Sequence, residues 1–323
     1  MQGLSPAAPA IQWYPGHIAQ AEKALNANLE KVDLVLEVRD ARIPLATSHP
    51  RLERWMRGKQ RLLVLNRRDM IGEPARQSWD RWFRAQGATP WWCDAKAGTG
   101  VAQLQQAAIR AGEALNERRR SRGMRPRAVR ALVLGFPNVG KSALINRLVR
   151  QKVVESARRA GVTRSLRWVR LGQVLDLLDA PGVLPPRLDD QRAALNLALC
   201  DDIGQAAYDG EAVALALIYR LVALEAVAAA GVSPGLLQAR YGPALGALAG
   251  AEGAAGGMAA GVARAEGVAA GQPAPVPPVI DAETWLAAAA ERHTSGDTAR
   301  MAQRLLDDFR RGVLGAIALE LPG

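Results

Sequence analysis

The sequence GFPNVGKS at residues 135–142 is the strongest indication of the fold. It matches the pattern G-x4-G-K-[ST] and lies between a short apolar run and a stretch predicted to be helical. In such a turn, glycines let backbone N–H groups surround phosphates. Lys141 is then expected to contact the β- and γ-phosphates of a nucleotide, and Ser142 to bind Mg²⁺. The nucleotide-contacting residues predicted in this loop are Asn138, Val139, Gly140, Lys141, Ser142 and Ala143.

Short apolar runs predict strands on both sides of this loop, and helical stretches such as residues 103–115 separate them. The predicted strands are residues 33–40, 62–65, 91–93, 131–134 and 174–178. Strands that alternate with helices favour a parallel sheet with helices on both faces. The sequence therefore predicts a P-loop domain of the α/β class.

The chain of 323 residues suggests two domains, because a single hydrophobic core stops growing near this length. After Pro185 and Pro186 the composition changes to alanine-rich, helical sequence. We therefore expect the α/β domain at residues 1–186 and a smaller all-α domain at residues 187–323. Residues 246–278 consist mainly of Ala, Gly and Pro, which predicts an insertion without regular structure.

Two segments after the phosphate loop are expected to complete the phosphate and Mg²⁺ site. The tetrapeptide DAPG follows a predicted strand, begins with Asp179 and ends with Gly182. Asp179 is expected to hold Mg²⁺ through water, and Gly182 to sense the γ-phosphate. Thr163 is the candidate for the second Mg²⁺-binding hydroxyl, with Ser156 and Ser165 as nearby alternatives.

The stretch NRRD at residues 66–69 follows a predicted strand and indicates a guanine-binding loop. The Asp69 carboxylate is expected to accept from the ring N1–H and the exocyclic amine, and the Asn66 amide to read the other edge of the base. Arg67 stands where lysine is usual, and its stem can still lie against the base. A later stretch resembles the loop that supports guanine through a backbone amide, and its residues are Asp94, Ala95 and Lys96.

The order of these loops is itself informative, since the base-reading loop precedes the phosphate loop. A nucleotide site is assembled from loops at the carboxyl edge of a sheet, so the fold can be cut elsewhere and its ends rejoined without loss of the site. The sequence therefore predicts a circularly permuted GTPase domain. The segment from Asp179 to Gly182 then leads into the C-terminal domain, and we expect it to transmit loss of the γ-phosphate there.

The charge of the chain predicts a polyanionic partner. The formal net charge is +11 and the pI is about 10.4, which favours nucleic acid. Two arginine-rich stretches, residues 118–130 and 300–311, are candidates to contact RNA phosphates, and a solvated linker is the alternative for the first. Neither stretch shows an aromatic stacking platform, so recognition of RNA shape and backbone is expected.

The cysteines and the apolar stretches predict the compartment. Cys93 and Cys200 are far apart and form neither a zinc nor a disulfide pattern, which favours a reducing cytoplasm. The most apolar run, residues 212–230, is interrupted by charged residues and predicts a buried helix rather than a membrane span. The first residues do not have the pattern of a signal peptide.

Five stretches together resemble the YlqF/RbgA family of circularly permuted, bacterial ribosome-assembly GTPases, over nearly the whole chain. They are WYPGH at residues 13–17, DARIP at 40–44, PRAVR at 126–130, GFPNVGKSALINRL at 135–148 and DAPG at 179–182. The resemblance implies hydrolysis of GTP to GDP with Mg²⁺, and the large ribosomal subunit and its rRNA as partners, without DNA or membrane. The departures from the family pattern are Arg67, Asp94 and the insertion at residues 246–278.

The resemblance also implies where the catalytic group lies. Many GTPases orient the attacking water with a glutamine after the D-x-x-G glycine, but Val183 occupies that position. The resemblance implies that His17 in WYPGH takes this role, and the alternative is a structural histidine. In related GTPases an asparagine at the position of Asn138 accompanies a bound K⁺, whereas the alternative is that Asn138 only caps the turn.

Two other functions stay open at this point. One is a P-loop ATPase or kinase, against which Asn66 and Asp69 argue and which a nucleotide-competition assay would identify. The other is an RNA-binding scaffold in which the nucleotide only orders the fold. The absence of ribosome-stimulated turnover would favour that second function.

Overall fold

The structure is a computed structural model that describes residues 11, 27–56, 58–150, 167–180, 182, 189–242 and 281–323. His17, Thr163, Val183, the predicted domain boundary after residue 186 and the segment 246–278 lie outside the described residues. What the sequence predicts for these positions stays a prediction.

A six-stranded sheet forms the centre of the α/β domain. Its strands are β1 Leu34–Asp40, β2 Gln60–Asn66, β3 Pro90–Trp92, β4 Val129–Gly135, β5 Arg167–Leu171 and β6 Leu175–Asp179. Their order is β3-β2-β1-β4-β6-β5, and all pairs are parallel except β5 with β6. All seven residues of β1 are buried, as expected for a strand covered on both faces. The predicted fold class is confirmed.

Helices cover the sheet and form the C-terminal part of the chain. The helices of the described residues are α1 Leu52–Met56, α2 Glu73–Ala85, α3 Val101–Arg120, α4 Lys141–Val149, α5 Gln191–Leu199, α6 Gly210–Glu225, α7 Leu236–Tyr241, α8 Ala282–His293 and α9 Thr298–Arg310. None of these helices is long and apolar enough to cross a membrane. Residues 212–225 of the apolar run predicted to be a buried helix lie in α6, and residues 226–230 follow the end of that helix.

Strand β4 contributes side chains to both faces of the sheet. Ala131 and Val133 belong to the largest buried cluster, which includes residues of α3, α4 and the C-terminal helices. Leu132 and Leu134 belong to a separate cluster on the other face, with Trp55 of α1. Because β4 ends at the phosphate loop, packing on both faces fixes where that loop begins.

Three elements differ from the sequence-based predictions. Helix α3 continues to Arg120 instead of ending near residue 115, so the arginine-rich connection to β4 is only residues 121–128. Strand β5 was not predicted, and it pairs antiparallel at the edge of the sheet. The region expected to be all-α, residues 187–323, ends in a segment without a helix, because residues 311–323 follow α9 as turns and irregular chain.

Two arginines predicted to contact RNA are engaged within the protein. Arg127 donates to both carboxylate oxygens of Asp33, at 2.7 and 2.8 Å. Arg310 is buried and donates to the carbonyl oxygens of Leu199 at 3.1 Å and Ala198 at 2.8 Å. A cation is favourable there because these carbonyls lie at the C-terminal end of α5. Arg127 and Arg310 therefore make contacts within the protein itself.

The segment after α9 returns to the α/β domain. The carboxylate of Glu320 accepts from the backbone N–H groups of Leu45 at 2.7 Å and Ala46 at 3.2 Å, and from the Asn196 amide at 3.0 Å. The indole of Trp79 donates to the Glu320 carbonyl at 3.1 Å. Glu320 thus joins α5 of the helical region to the loop after β1.

Candidate nucleotide-binding site

The phosphate loop connects β4 to α4 as the sequence predicts. Asn138 and Gly140 both have positive φ angles, of 55° and 95°. A Cβ at Gly140 would lie 2.3 Å from the Asn66 amide nitrogen, and one at Gly135 would lie 2.3 Å from the Val38 carbonyl oxygen. Position 140 therefore needs glycine for both its backbone conformation and the close approach of Asn66, whereas position 135 needs it for the close approach of Val38 alone.

Lys141 lies inside this loop. Its ammonium group donates to the carbonyl oxygens of Phe136 at 2.6 Å and Gly135 at 3.2 Å. Burial lowers the pKa of Lys141 to about 8, although Asp179 and Asp202 both favour its charged form. A buried ammonium enclosed by a glycine-rich loop is arranged to receive an anionic ligand.

Asp179 ends β6 beside this lysine and is fully buried. Burial raises the pKa of Asp179 to about 6, and the charge of Lys141 opposes the shift. Neither carboxylate oxygen has a hydrogen-bond partner among the described residues. A buried carboxylate without donors is costly unless a cation or water satisfies it, so Asp179 fits the predicted Mg²⁺ site. Ser142, the other predicted ligand in the described part, is the second residue of α4 and lies in its first turn.

Gly182 lies against the phosphate loop. A Cβ at Gly182 would lie 2.6 Å from the backbone nitrogen and Cα of Pro137. A side chain there would require one of the two loops to shift. The structure thus brings the predicted γ-phosphate sensor to the loop that holds Lys141.

Asn66 ties three predicted nucleotide-binding loops together. Its amide nitrogen donates to the Val139 carbonyl oxygen at 2.8 Å, and its amide oxygen accepts from the Ala95 N–H at 3.1 Å. The sequence assigned this amide to the base alone. Each amide group keeps one further hydrogen-bonding position, so contact with the base stays a prediction.

Arg67 has a role that its sequence position did not indicate. It has a positive φ of 61°, and its guanidinium donates to the Asn138 carbonyl oxygen at 2.6 Å and to the Asp40 carboxylate at 2.9 Å. It therefore links the base loop to the phosphate loop and to the end of β1. A lysine has a single nitrogen and lacks this fixed fork of donors.

Asp69 and Asp94 occupy neighbouring positions with different roles. Asp69 is exposed, and its pKa is raised by partial burial of the carboxyl and by the charge of Asp94. The Asp94 carboxylate accepts from the backbone N–H groups of Lys96 at 2.7 Å and Ala97 at 3.0 Å. Asp94 therefore shapes the supporting loop, which explains how an aspartate serves at this position.

Residues of the helical region also touch the site, and their contacts were not predicted from the sequence. The Asn138 amide nitrogen donates to the Asp201 carbonyl oxygen at 2.7 Å. Arg67 lies 3.5 Å from the Cys200 carbonyl oxygen and 3.9 Å from the Asp202 carboxylate. Asp202 is fully buried, and burial followed by the charge of Asp40 raises its pKa well above the usual range. The paired aspartates after α5 were the available sequence signal.

Comparison with known proteins agrees with this geometry. Residues 130–213 match the protein family described as 50S ribosome-binding GTPase. Ribosome biogenesis GTPase A of Bacillus pumilus is 36% identical over 189 residues, which cover 58% of this chain and 67% of that protein. The protein of the same name from Bacillus cereus is 38% identical over 188 residues, with 58% and 64% covered. The chain thus matches about two thirds of the length of these curated relatives.

The solved structures agree at the level of the fold. YlqF from T. maritima, in a GNP-bound crystal structure, has a TM-score of 0.55 and 18% identity over 94% of this chain and 98% of that chain. The base loop precedes the phosphate loop in this chain, and Asn66 holds the two together in space. With the matching relatives, these observations show that the chain belongs to the ribosome biogenesis GTPase A family of P-loop GTPases.

Proposed function

We propose that this chain binds and hydrolyses GTP in the cytoplasm during late assembly of the large ribosomal subunit, and that the subunit stimulates hydrolysis. The observation that carries the proposal is the joining of base loop, supporting loop and phosphate loop by the Asn66 amide. This arrangement leaves Asp69 exposed beside the supporting loop, as guanine recognition requires. The names of the curated relatives support ribosome assembly as the setting.

The phosphate chemistry follows from residues at the ends of β4 and β6. Lys141 contacts the β- and γ-phosphates, and Gly182 contacts the γ-phosphate beside Pro137. Ser142, Thr163 and Asp179 would hold Mg²⁺, with Asp179 acting through water. When bound, Mg²⁺ neutralises charge that develops on the phosphates. The buried, unpartnered carboxylate of Asp179 supports its part in this set.

Water is oriented by a group from outside this loop, because the side chain of Val183 has no polar atom to accept a hydrogen bond from it. We assign this role to His17, and docking on the subunit holds the segment that carries it in place. Stimulation then comes from positioning rather than from new chemistry. A free enzyme that hydrolyses GTP slowly and a subunit-bound enzyme that hydrolyses it quickly are the expected consequence.

The Asn138 side chain is proposed to help bind K⁺ beside the phosphates. Its amide nitrogen donates to the Asp201 carbonyl oxygen, and its amide oxygen is the atom that can bind a cation. Turnover is therefore expected to be faster in K⁺ than in Na⁺ at equal ionic strength. Equal rates in the two salts would assign Asn138 to the contact with Asp201 alone.

The proposed function is tested by single-turnover GTP hydrolysis with and without purified large subunits. His17→Ala should bind GTP and subunits nearly as wild type does, but lose roughly 2 to 4 kcal/mol of the stimulated rate. Co-sedimentation in GDP and in a non-hydrolysable GTP analogue measures binding separately from turnover. If subunits stimulated GTP hydrolysis by His17→Ala as strongly as by wild type, His17 would have a structural role instead. Wild-type protein that subunits do not stimulate would favour the scaffold function.

Asp69→Asn is expected to change the preferred base from guanine to xanthine. The amide presents a donor where the carboxylate presents an acceptor, and xanthine carries the matching oxygen in place of the exocyclic amine. Competition between GTP, xanthosine triphosphate and ATP for a fluorescent nucleotide measures the preference. Asp189→Asn makes the same chemical change at an exposed position and should bind as wild type does. Continued preference of Asp69→Asn for GTP would place the base loop elsewhere.

A further inference from the structure

The amino-terminal edge of the sheet lies opposite the nucleotide-binding loops. Strands β4 and β6 begin there, and the antiparallel strand β5 ends there. The Val129 N–H donates to the Val174 carbonyl oxygen at 3.0 Å, which joins the start of β4 to the turn between β5 and β6. Lys141 and Asp179 lie at the other ends of these strands, so this edge is separate from the site described above.

One row of side chains crosses three strands at this edge. Arg130 of β4 and Arg170 of β5 both lie directly opposite Asp176 of β6, so all three side chains share one face of the sheet. Trp168 lies two residues before Arg170 and therefore points to the same face. The Arg130 guanidinium is 5.8 Å from the centroid of the Trp168 ring, and the ring remains 39% exposed.

Further arginines lie at the same edge where α3 ends, although this helix packs on the other face of the sheet, with Ala131 and Val133. The helix ends at Arg120, and residues 121–128 lead from it to β4. Exposed side chains here include Arg118, Arg122 and Arg125. We define the basic edge as Arg118, Arg122, Arg125, Arg130, Trp168 and Arg170.

The basic edge keeps an excess of positive charge. Among the described residues, Glu117 forms an ion pair with Arg120, and Asp33 forms one with Arg127. Asp176 is the acidic group in the row of Arg130 and Arg170. The five arginines of the basic edge therefore outnumber it, and a polyanion is the complementary partner.

We propose that the basic edge binds single-stranded RNA, with phosphates on its arginines and an unpaired base stacked on Trp168. RNA as the polyanion rests on the proposed function in ribosome assembly. An exposed aromatic ring next to guanidinium groups is the combination that holds unpaired bases, whereas arginines alone hold only the backbone. Trp168 lies in β5, which is distant in sequence from the arginine-rich stretch at residues 118–130. The sequence therefore indicated recognition of the RNA backbone alone, and stacking of a base on Trp168 is an additional contact.

The test compares fluorescence anisotropy of a labelled single-stranded RNA with that of the same strand carrying abasic sites. Trp168→Ala should bind the complete RNA about 5- to 100-fold more weakly, as expected for loss of one stacked base, and should bind the abasic RNA as wild type does. Trp168→Phe should keep most of the affinity. Arg170→Gln should weaken both RNAs and lower the salt dependence by about 0.7 in log–log slope.

Arg81→Gln is the matched control, because it removes an exposed arginine from α2 at the far side of the sheet. It should bind both RNAs as wild type does. GDP binding and thermal unfolding confirm that each variant is folded, and Trp168→Phe and Arg170→Gln keep the test decisive if Trp168→Ala does not fold.

Three results would overturn the proposal. One is unchanged binding of the complete RNA by a folded Trp168→Ala variant. Another is an equal loss for complete and abasic RNA, since stacking would then not be involved. The third is displacement of RNA by an acidic peptide that binds more tightly, which would identify a protein partner. Subunit-stimulated GTP hydrolysis by the wild-type protein is measured in parallel. If subunits stimulate hydrolysis, any of these three results overturns RNA binding at the basic edge but leaves the proposed function intact. If subunits do not stimulate hydrolysis, the proposed function itself is contradicted.

Discussion

Lys141→Met is expected to weaken binding of both GTP and GDP by at least about 100-fold, or ~3 kcal/mol. The ammonium group is buried inside the phosphate loop, and among the described residues the carbonyl oxygens of Gly135 and Phe136 accept from it. Phosphates provide the stronger, charged acceptors. Methionine keeps the apolar stem and much of the volume, so the loss reports on charge and hydrogen bonding. Fluorescent nucleotide titration measures it.

Lys59→Met provides the matched control for this variant. The Lys59 ammonium donates to the Val32 carbonyl at 2.9 Å, just before the start of β2 and at the end opposite the nucleotide site. The same chemical change there should leave nucleotide affinity unchanged. Thermal unfolding of both variants without nucleotide separates binding from stability. If Lys141→Met retained wild-type affinity while Lys59→Met did not, the phosphate site would have been assigned to the wrong end of the sheet.

The parallel part of the sheet could be predicted because its local signals and its tertiary packing agree. Residues 131–134 are apolar, β-branched or aliphatic, and their alternation fills both faces of the sheet. The loop that follows needs glycine at Gly135 and Gly140 for close approach, and those glycines form the recognised pattern. Where the same residue suits both the local backbone conformation and the tertiary packing, the structure at that position can be predicted from the sequence.

Strand β5 could not be predicted from its own residues. Its sequence RWVRL buries Val169 against the core but leaves Arg167, Trp168 and Arg170 exposed, and its apolar residues do not alternate regularly with polar ones as in a half-buried strand. Pairing with β6 determines its structure. The same reasoning applies to the segment after α9, where the contacts of Glu320 with Leu45 and Ala46 come from distant parts of the chain.

The candidate site was predictable as a set of loops and not as a network. The sequence indicated that Asn66, Arg67 and Asn138 lie near a nucleotide, but not that their polar groups hold one another. The Arg67 guanidinium joins Asn138 to Asp40, and Asn138 joins the helical region through Asp201. Such contacts depend on side-chain directions across separate elements. The helical region therefore meets the phosphate loop directly, in addition to the predicted connection through the segment after Asp179.

Asp40→Asn is expected to lower the free energy of unfolding by about 3 to 5 kcal/mol. Asp40 is fully buried, and its carboxylate accepts from Arg42 Nε at 3.0 Å, Arg42 Nη2 at 2.8 Å and Arg67 Nη1 at 2.9 Å. Burial alone would raise the pKa of Asp40, but Arg42 and Arg67 outweigh burial and hold the pKa below its usual value. Asparagine removes the charged carboxylate that accepts two hydrogen bonds from Arg42, which is also fully buried.

Asp33→Asn distinguishes this effect from the general loss of an arginine–carboxylate pair. Asp33 also binds both terminal nitrogens of an arginine, Arg127, but the two side chains are 15% and 30% exposed. Water can solvate the remaining charge, so a loss of about 1 kcal/mol or less is expected. Urea unfolding at neutral pH, followed by circular dichroism, measures both variants.

The effect of Asp40→Asn should also depend on pH, because the pKa of Asp40 is depressed in the folded state. The contribution of the Asp40 carboxylate to the free energy of unfolding is present at neutral pH and is lost as the pH falls through that lowered pKa. The difference in stability between wild type and Asp40→Asn should therefore shrink in acid. Equal losses for Asp33→Asn and Asp40→Asn at neutral pH would mean that burial of the Asp40–Arg42 pair does not determine how much it stabilises the fold. Other contacts of Arg67 would then have to stabilise the connection from β1 to the phosphate loop.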